Sequence, residues 1–196
     1  MSAPDAASIH DDRPAIPTAA QARVIDAALC SFARHGVGGT SLQMIADELG
    51  VTKAALYFQY RTRDEIVFAA AEAELARVET VAAAAEAQPS KRRAREAAIR
   101  GIVDLAIERR RTVGSLLSDP VIAGLFREHE HFHDVMQRLR DLLVEPGAGP
   151  EGDVRLAMLV AAISGAVTHP YVVDLDDEIL RAELLRLAHR FLGLRR

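Results

Sequence analysis

The 196-residue chain contains no tryptophan, and aromatic residues make up only 5% of it. Its one cysteine, Cys30, cannot form an intrachain disulfide. No uninterrupted apolar stretch reaches the roughly 18 residues that a transmembrane helix requires. The N-terminus carries Asp5, Asp11 and Asp12 where a secretory signal would have an apolar segment. These absences predict a cytoplasmic protein that does not enter a membrane.

Sequence motifs of common catalytic sites are missing as well. There is no G-x-x-x-x-G-K-S/T phosphate-binding loop, so the glycine-rich run at residues 36–39 is interpreted as a turn. There is no G-x-S-x-G nucleophile motif, and the sequence assigns no base to Cys30. The chain is therefore not predicted to be an enzyme, and neither a catalytic residue nor a cofactor is assigned.

A strong excess of basic charge is also lacking, since the net charge is −4 and the isoelectric point is near 6.0. The distribution is uneven, however. Between Arg13 and Arg63 there are six basic and three acidic residues, which gives a local net charge of +3. A local basic surface is sufficient for contact with phosphates, so the overall acidity does not exclude a nucleic-acid-binding protein.

Alanine and leucine are abundant, hydrophobic residues make up 49% of the chain, and no long stretch alternates with a period of two. This pattern predicts an all-α fold. We expect three regions: a flexible arm at residues 1–17, a three-helix DNA-binding domain at residues 18–64, and a helical ligand-binding and dimerisation bundle at residues 65–196.

Residues 40–60, TSLQMIADELGVTKAALYFQY, have the pattern of two short helices joined by a tight turn. Ser41 and Thr52 are placed to cap the two helices. Gly50 closes the first helix because glycine adopts a positive φ at little cost, and Val51 is expected to fill the turn as an apolar plug. This is the pattern of a helix-turn-helix, whose second helix enters the DNA major groove.

Apolar residues at helical spacing define the predicted core of this domain. A preceding helix is expected to run from Thr18 to just before Gly36 and to pack across the motif. The predicted inward-facing residues are Ile25, Ala28, Leu29 and Phe32 on that helix, then Leu42, Ile45, Ala46, Leu49, Leu56 and Tyr60.

Several residues between positions 24 and 67 carry a family resemblance. They are Phe32, Ala33 and Gly36 at the end of helix one, Thr40, Ile45-Ala46, Leu49-Gly50-Val51, the block at residues 56–60, and Arg63 with the acidic pair after it. This segment closely resembles the DNA-binding domain of the TetR family of bacterial transcriptional regulators. Tyr60 and Arg63 depart from the phenylalanine and lysine that are usual in the family.

The resemblance implies a homodimeric, ligand-responsive transcriptional repressor that binds a near-palindromic double-stranded DNA operator and is released by a small, mostly apolar effector. In related regulators an arm like residues 1–17 can reach the minor groove, and Arg13 is the residue here that could do so. A plain flexible tail is the other interpretation.

Nine residues are predicted to contact DNA, from the resemblance and from their cap or outward positions. The phosphate contacts are Thr40, Thr52, Lys53, Tyr57 and Arg63, and the residues facing base edges are Ala54, Ala55, Phe58 and Gln59. The alternative for Tyr57 is a core aromatic.

The second domain is predicted to contain five longer helices and one short one. Asp64 is expected to cap a helix at residues 65–87, and a basic cluster at residues 91–95 opens the next helix, either as a solvated helix start or as a second nucleic-acid patch. The remaining predicted helices are residues 113–117, 119–143, 151–173 and 176–192. The 151–173 helix is apolar nearly all round from Leu156 to Val167, so it must be covered on more than one side. The last helix has apolar residues at helical spacing: Ile179, Leu184, Leu187, Ala188 and Phe191. We expect these two helices to form a four-helix dimer interface.

Five residues are predicted to line an effector pocket: Phe132, His133, Met136, Ile163 and His169. The alternative is that they pack as ordinary core. The sequence His129-Glu130-His131-Phe132-His133 also raises the alternative of a helical metal-dependent enzyme or metal sensor using His129, His131 and His133. The order of its residues differs from H-E-x-x-H, so no metal ligand is assigned.

Overall fold

A computed structural model of the chain describes residues 17–110, 122, 124 and 129–193. Within these residues the chain forms eight α-helices and no strand. The helices are α1 (Ala19–Gly39), α2 (Leu42–Leu49), α3 (Lys53–Tyr57), α4 (Arg63–Glu86), α5 (Lys91–Glu108), α6 (Glu130–Leu143), α7 (Gly149–Ala166) and α8 (Asp177–Phe191). The prediction of an all-α fold is confirmed.

Some predicted features lie outside the described residues. They are the N-terminal arm except for Pro17, the short helix at residues 113–117, and the part of the predicted 119–143 helix that precedes His129, apart from Ile122 and Gly124.

The first three helices and the start of α4 share one apolar core. Phe32, Ile45, Leu56 and Ile66 are almost completely buried in it. The inward-facing residues predicted for α1 and α3 are all buried, and those predicted for α2 are buried or packed against this cluster. Helical spacing therefore identified the core of this domain correctly.

Local capping explains where the helices of this domain begin and end. The Ser41 hydroxyl accepts a hydrogen bond from the Met44 N–H at 3.2 Å, and the Thr52 hydroxyl accepts from the Ala55 N–H at 3.2 Å. Gly50 adopts the left-handed conformation (φ 68°), so its N–H and that of Val51 satisfy the last carbonyls of α2. These three caps confirm the predicted helix boundaries.

The prediction for Val51 is wrong, because 38% of its surface is exposed. Its backbone explains this: the N–H is used to bond the Ala46 carbonyl at 3.0 Å, and the left-handed Gly50 directs the chain away from the core. α1 also differs from its predicted end. Gly36 is non-helical (φ 71°, ψ 161°), but helical geometry resumes and ends at Gly39.

The long helix α4 connects the two apolar clusters of the molecule. Thr62, and not Asp64, caps it, with the hydroxyl accepting from the Glu65 N–H at 3.1 Å. At 1.5 Å per residue its 24 residues extend over about 36 Å. Ile66 lies in the first cluster and Ala85 in the second, so one rigid element spans both.

The second apolar cluster is formed by the end of α4 with α5 and α6–α8. Its buried residues include Ile99, Val103, Leu143, Leu159, Ile163, Leu180 and Leu184. α7 ends at Ala166, earlier than predicted, and the chain turns through residues 167–176 before Asp176 caps α8. On α8 the predicted residues Leu184 and Ala188 are buried, whereas Ile179, Leu187 and Phe191 are exposed.

Large apolar side chains therefore remain on the surface of α7 and α8, which pack against each other. We refer to Val154 and Met158 of α7 with Ile179, Leu187 and Phe191 of α8 as the α7–α8 apolar face. Each of these five is exposed by 40% or more. Ala161 and Ala162 are exposed on α7 as well.

The basic cluster at residues 91–95 forms the first turns of α5, which Ser90 caps. Arg95 donates to the Leu142 carbonyl and to Glu145, and Arg92 lies 3.8 Å from Glu96. These acidic partners favour a solvated helix start over a nucleic-acid patch. None of the described helices is both long and apolar enough to cross a membrane.

Candidate nucleic-acid interface

The outer surface of α3 is made of the residues that were predicted to face DNA. Lys53, Ala54 and Ala55 are exposed on its first turn. Phe58, which follows directly, is 89% exposed, and Gln59 is half-buried. An aromatic ring this exposed contributes little to the stability of the domain, and its exposure indicates a surface that binds a partner.

Lys53 and Tyr57 lie one turn apart on this surface. The Lys53 ammonium nitrogen is 5.9 Å from the centroid of the Tyr57 ring, a distance at which the ring attracts the cation. Tyr57 is 46% exposed, so it is not a core aromatic. Its phenol and the Lys53 ammonium are together available to a phosphate, as is the exposed Thr52.

By contrast, Leu56 and Tyr60 hold α3 on the domain. Both face inward as predicted. Burial, with a smaller contribution from Glu65, raises the pKa of the Tyr60 phenol. The phenol therefore stays protonated at neutral pH, and the inward side of α3 carries no charge from this group.

Two of the predicted phosphate contacts have other partners in the structure. Thr40 is buried, and its hydroxyl donates to the Gly36 carbonyl at 2.8 Å. Arg63 donates from Nε to the Thr40 carbonyl at 2.7 Å and from Nη2 to the Val37 carbonyl. Arg63 thus fixes the turn between α1 and α2. In this conformation neither side chain is presented to a phosphate, and the resemblance did not reveal these carbonyl partners.

Arg61 is an exposed basic residue next to α3 that was not among the predicted contacts. Its backbone N–H donates to the Glu65 carboxylate at 2.8 Å, which fixes the turn that presents it. The local excess of basic residues in this segment was the available signal. Arg34 is less available because it pairs with Glu48.

The five predicted effector residues do not share one apolar cluster. Phe132 packs against the first apolar cluster, whereas Ile163 is buried in the second. His133 and His169 are exposed, and Met136 is half-buried. His169 lies beyond the end of α7, where its Nδ1 accepts from the Tyr171 N–H at 3.3 Å. The effector pocket formed by these five residues therefore stays a prediction.

The three histidines at the start of α6 also point to different partners. His129 Nδ1 is 3.7 Å from Glu72 and His131 Nε2 is 3.8 Å from Glu79, both on α4. His133 contacts the Phe132 ring, with 5.9 Å between centroids. Among the described residues no group of three His, Cys, Asp or Glu side chains could hold a metal ion.

Comparison with known proteins identifies the first domain. The family model described as bacterial regulatory proteins, tetR family, matches residues 24–70. Residues 24–70 therefore match the DNA-binding domain of the TetR family. The match covers α2 and α3 completely, together with most of α1 and the start of α4.

A curated TetR-type relative is the HTH-type transcriptional repressor SCO4008 of Streptomyces coelicolor. It is 38% identical over 50 residues, which are 26% of this chain and 26% of the repressor. The similarity therefore spans about a quarter of each protein.

Solved TetR-family structures resemble the fold over nearly the whole chain. A regulatory protein of the tetR family from Rhodococcus RHA1 superposes with a TM-score of 0.67 at 21% identity, covering 91% of this chain and all of the other. The fatty acid degradation regulator FadR from Bacillus halodurans gives a TM-score of 0.66 at 16% identity, covering 92% and 99%. At these identities the comparison supports the shared fold alone.

Proposed function

We propose that the protein is a transcriptional repressor that acts on DNA in the bacterial cytoplasm as an effector-responsive homodimer. The observation that carries the proposal is the exposed surface of α3, which projects apolar and cationic side chains from a well-packed TetR-family domain. The name of the Streptomyces coelicolor relative supports repression. The proposal assigns no catalytic activity to the chain.

The DNA contacts divide into two groups. Thr52, Lys53 and Tyr57, together with Arg61, contact phosphates and set the affinity. Ala54, Ala55, Phe58 and Gln59 face the base edges and set the sequence preference. Thr40 and Arg63 support this surface by fixing the turn before α2.

Homodimer formation is supported by the α7–α8 apolar face. Five large apolar side chains exposed on two adjacent helices are more than an isolated helical domain needs on its surface. A twofold axis through this face places two α3 helices on successive half-sites of a near-palindromic operator.

Effector control requires an element that links the two clusters, and α4 is that element. Its N-terminal turns are buried in the DNA-binding domain, and its C-terminal turns pack in the second cluster. An effector that prefers one position of α4 must weaken DNA binding by the same factor by which DNA weakens effector binding.

A binding experiment tests the proposal. DNA selected from a random library by the purified full-length protein provides the probe, and fluorescence anisotropy measures its affinity at several salt concentrations. Lys53→Ala should weaken binding to all sequences and reduce the salt slope by about 0.9 per lost phosphate contact. Lys91→Ala, which changes the other lysine of the chain on the exposed start of α5, is the matched control. Failure to select any DNA, or equal losses in the two variants, would contradict the proposal.

A further inference from the structure

Glu72 is a buried carboxylate that the fold leaves incompletely satisfied. It lies on α4 and is only 6% exposed. Its Oε2 atom has no hydrogen-bond partner within residues 17–110, 122, 124 and 129–193. Its Oε1 atom is 3.7 Å from His129 Nδ1, a distance too long for a hydrogen bond. Buried polar groups nearly always have partners, so this oxygen requires an explanation.

The same helix provides a comparison two residues later. Glu74 is 5% exposed, as buried as Glu72. It accepts a hydrogen bond from Arg109 at 2.7 Å, and Arg77 lies 3.6 Å away. Among the residues that the structure describes, a guanidinium therefore pairs with Glu74 and none pairs with the equally buried Glu72. A buried carboxylate oxygen that lacks a hydrogen bond costs free energy.

The surroundings of Glu72 indicate what kind of group could satisfy it. Phe68 lies one turn before it on α4, and the Phe68 ring is 4.7 Å from the His129 ring, at an angle of 44°. Phe68 and His129 are both partly exposed, and His129 is the member of the pair that lies next to the carboxylate. A carboxylate next to aromatic rings favours a cation with an apolar body.

From this geometry we infer that Glu72 anchors an organic ammonium ion, and that this ion is the effector of the repressor described above. This inference rests on the proposed function, because the ion is an effector only if the protein is an effector-responsive repressor. A divalent metal ion fits less well, because it requires several oxygen or nitrogen ligands and no three metal-binding side chains come together among the described residues. An anionic effector would be repelled by the carboxylate.

A ligand bound at Glu72 lies close to the core of the DNA-binding domain. Ile66, Val67, Ala70 and Ala71, which precede it on α4, are all buried in the first apolar cluster. A cation held at Glu72 therefore acts on α4 within one or two turns of that core. His129 connects the same point to α6, so two helices respond to one ligand.

The first test compares the two carboxylates in the ligand-free protein. At pH 8, Glu72→Leu should raise the Tm by about 2–4 °C, the shift that ~1 kcal/mol produces in a domain of this size. Glu74→Leu should lower the Tm, because it removes the partner of the Arg109 guanidinium. A fall in the Tm of Glu72→Leu as large as that of Glu74→Leu would show that Glu72 is an ordinary structural residue, and the inference would be overturned.

The second test uses a defined probe. 2-Phenylethylammonium at millimolar concentration should raise the Tm of the wild-type protein, and the neutral isostere 2-phenylethanol and the anion phenylacetate should not. Glu72→Gln should lose the response, whereas Glu86→Gln, which changes an acidic residue two heptads further along α4, should keep it. An absent wild-type response, an equal response to 2-phenylethanol, or a response retained by Glu72→Gln would each overturn the inference.

Anisotropy with the selected DNA separates this inference from the proposed function. A protein that binds DNA but gives no ammonium response keeps its proposed function and loses this site. A protein that responds through Glu72 but selects no DNA keeps the ammonium site and loses its role as the effector site of a repressor.

Discussion

At the scale of single residues, Tyr57 provides a test of the proposed phosphate contacts of α3. Its ring is exposed and lies under the Lys53 ammonium, so its hydroxyl is the group that remains for DNA. Tyr57→Phe should weaken binding to the selected operator by about 1.5–3 kcal/mol, the contribution of a hydrogen bond to a charged group. Fluorescence anisotropy measures the change, and Tyr171→Phe, at an exposed tyrosine in the second domain, is the control. Unchanged affinity in Tyr57→Phe would remove the phenol from the list of phosphate donors.

Glu74 gives a prediction about pH. Burial raises the pKa of its carboxyl above the ordinary value, and the Arg109 guanidinium, followed by Arg77, offsets part of the rise. The folded state therefore binds more protons than the unfolded state in the interval above the ordinary pKa. In that interval the contribution of Glu74 to the free energy of unfolding falls as pH rises, and it becomes constant above the folded-state pKa.

Glu74→Gln should remove this dependence while keeping the size of the side chain. The difference in unfolding free energy, variant minus wild type, should therefore increase between about pH 4.5 and neutral pH. The size of the increase is set by how far the pKa of Glu74 is raised in the folded state. Urea unfolding at a series of pH values measures it. A difference that stays constant or falls with pH would show that pairing with Arg109 dominates burial at this site.

Residues whose partners are close in sequence could be predicted, and residues with distant partners could not. Ser41, Gly50 and Thr52 cap helices through atoms at most four residues away, so their roles were readable from the sequence. Arg63 contacts carbonyls 23 and 26 residues earlier in the chain. Nothing in the local sequence pattern distinguishes an arginine that bonds distant backbone carbonyls from one that contacts phosphate.

At the scale of elements, the packing of α4 on α5 depends on Gly101. A Cβ atom at this position would lie 2.5 Å from Val81 Cγ1, so the two helices approach too closely for alanine. Gly101→Ala should lower the free energy of unfolding, because overpacking costs about 1–3 kcal/mol and exceeds the gain of up to ~1 kcal/mol in helix propensity.

The sign should reverse when Val81 is shortened. In a Val81→Ala background the clash is absent, so Gly101→Ala should stabilise the protein by about 0.5–1 kcal/mol through helix propensity alone. A double-mutant cycle from urea unfolding gives the coupling between the two positions. Additive effects would mean that the helices separate to accept the methyl group.

Element boundaries show the same division between local and distant causes. α8 begins where Asp176 predicts it, since the Asp176 side chain bonds the Glu178 N–H at 2.8 Å. The effector residues stay a prediction, since α6 contributes to both apolar clusters, with Phe132 in contact with one and Leu143 buried in the other. A stripe of apolar residues predicts that those residues are buried. It does not predict which apolar cluster buries each one, because that depends on the tertiary arrangement.

At the scale of the whole molecule, the second domain buries an apolar core and still exposes the α7–α8 apolar face. Buried residues of α7 such as Leu159 and Ile163 alternate around the helix with exposed ones such as Val154 and Met158. This is the arrangement expected of a helix that packs against its own bundle on one side and a second copy on the other. The sequence predicted both sides, since the helix is apolar nearly all round, and could not tell which residue belongs to which side.

Ala161→Glu tests the dimer, because Ala161 is exposed on α7 and a charge buried in an apolar interface without a partner is strongly unfavourable. We expect wild-type protein to sediment as a dimer at micromolar concentration and Ala161→Glu, or Ala162→Glu on the adjacent position, to sediment as a monomer. Ala22→Glu on the exposed surface of α1 is the control and should remain dimeric.

Loss of the dimer should reduce affinity for a two-half-site operator much more than for a single half-site, because only the dimer gains from the second contact. A wild-type monomer, or dimers in both α7 variants, would place the twofold axis away from this face and leave its exposed side chains without the partner assigned to them.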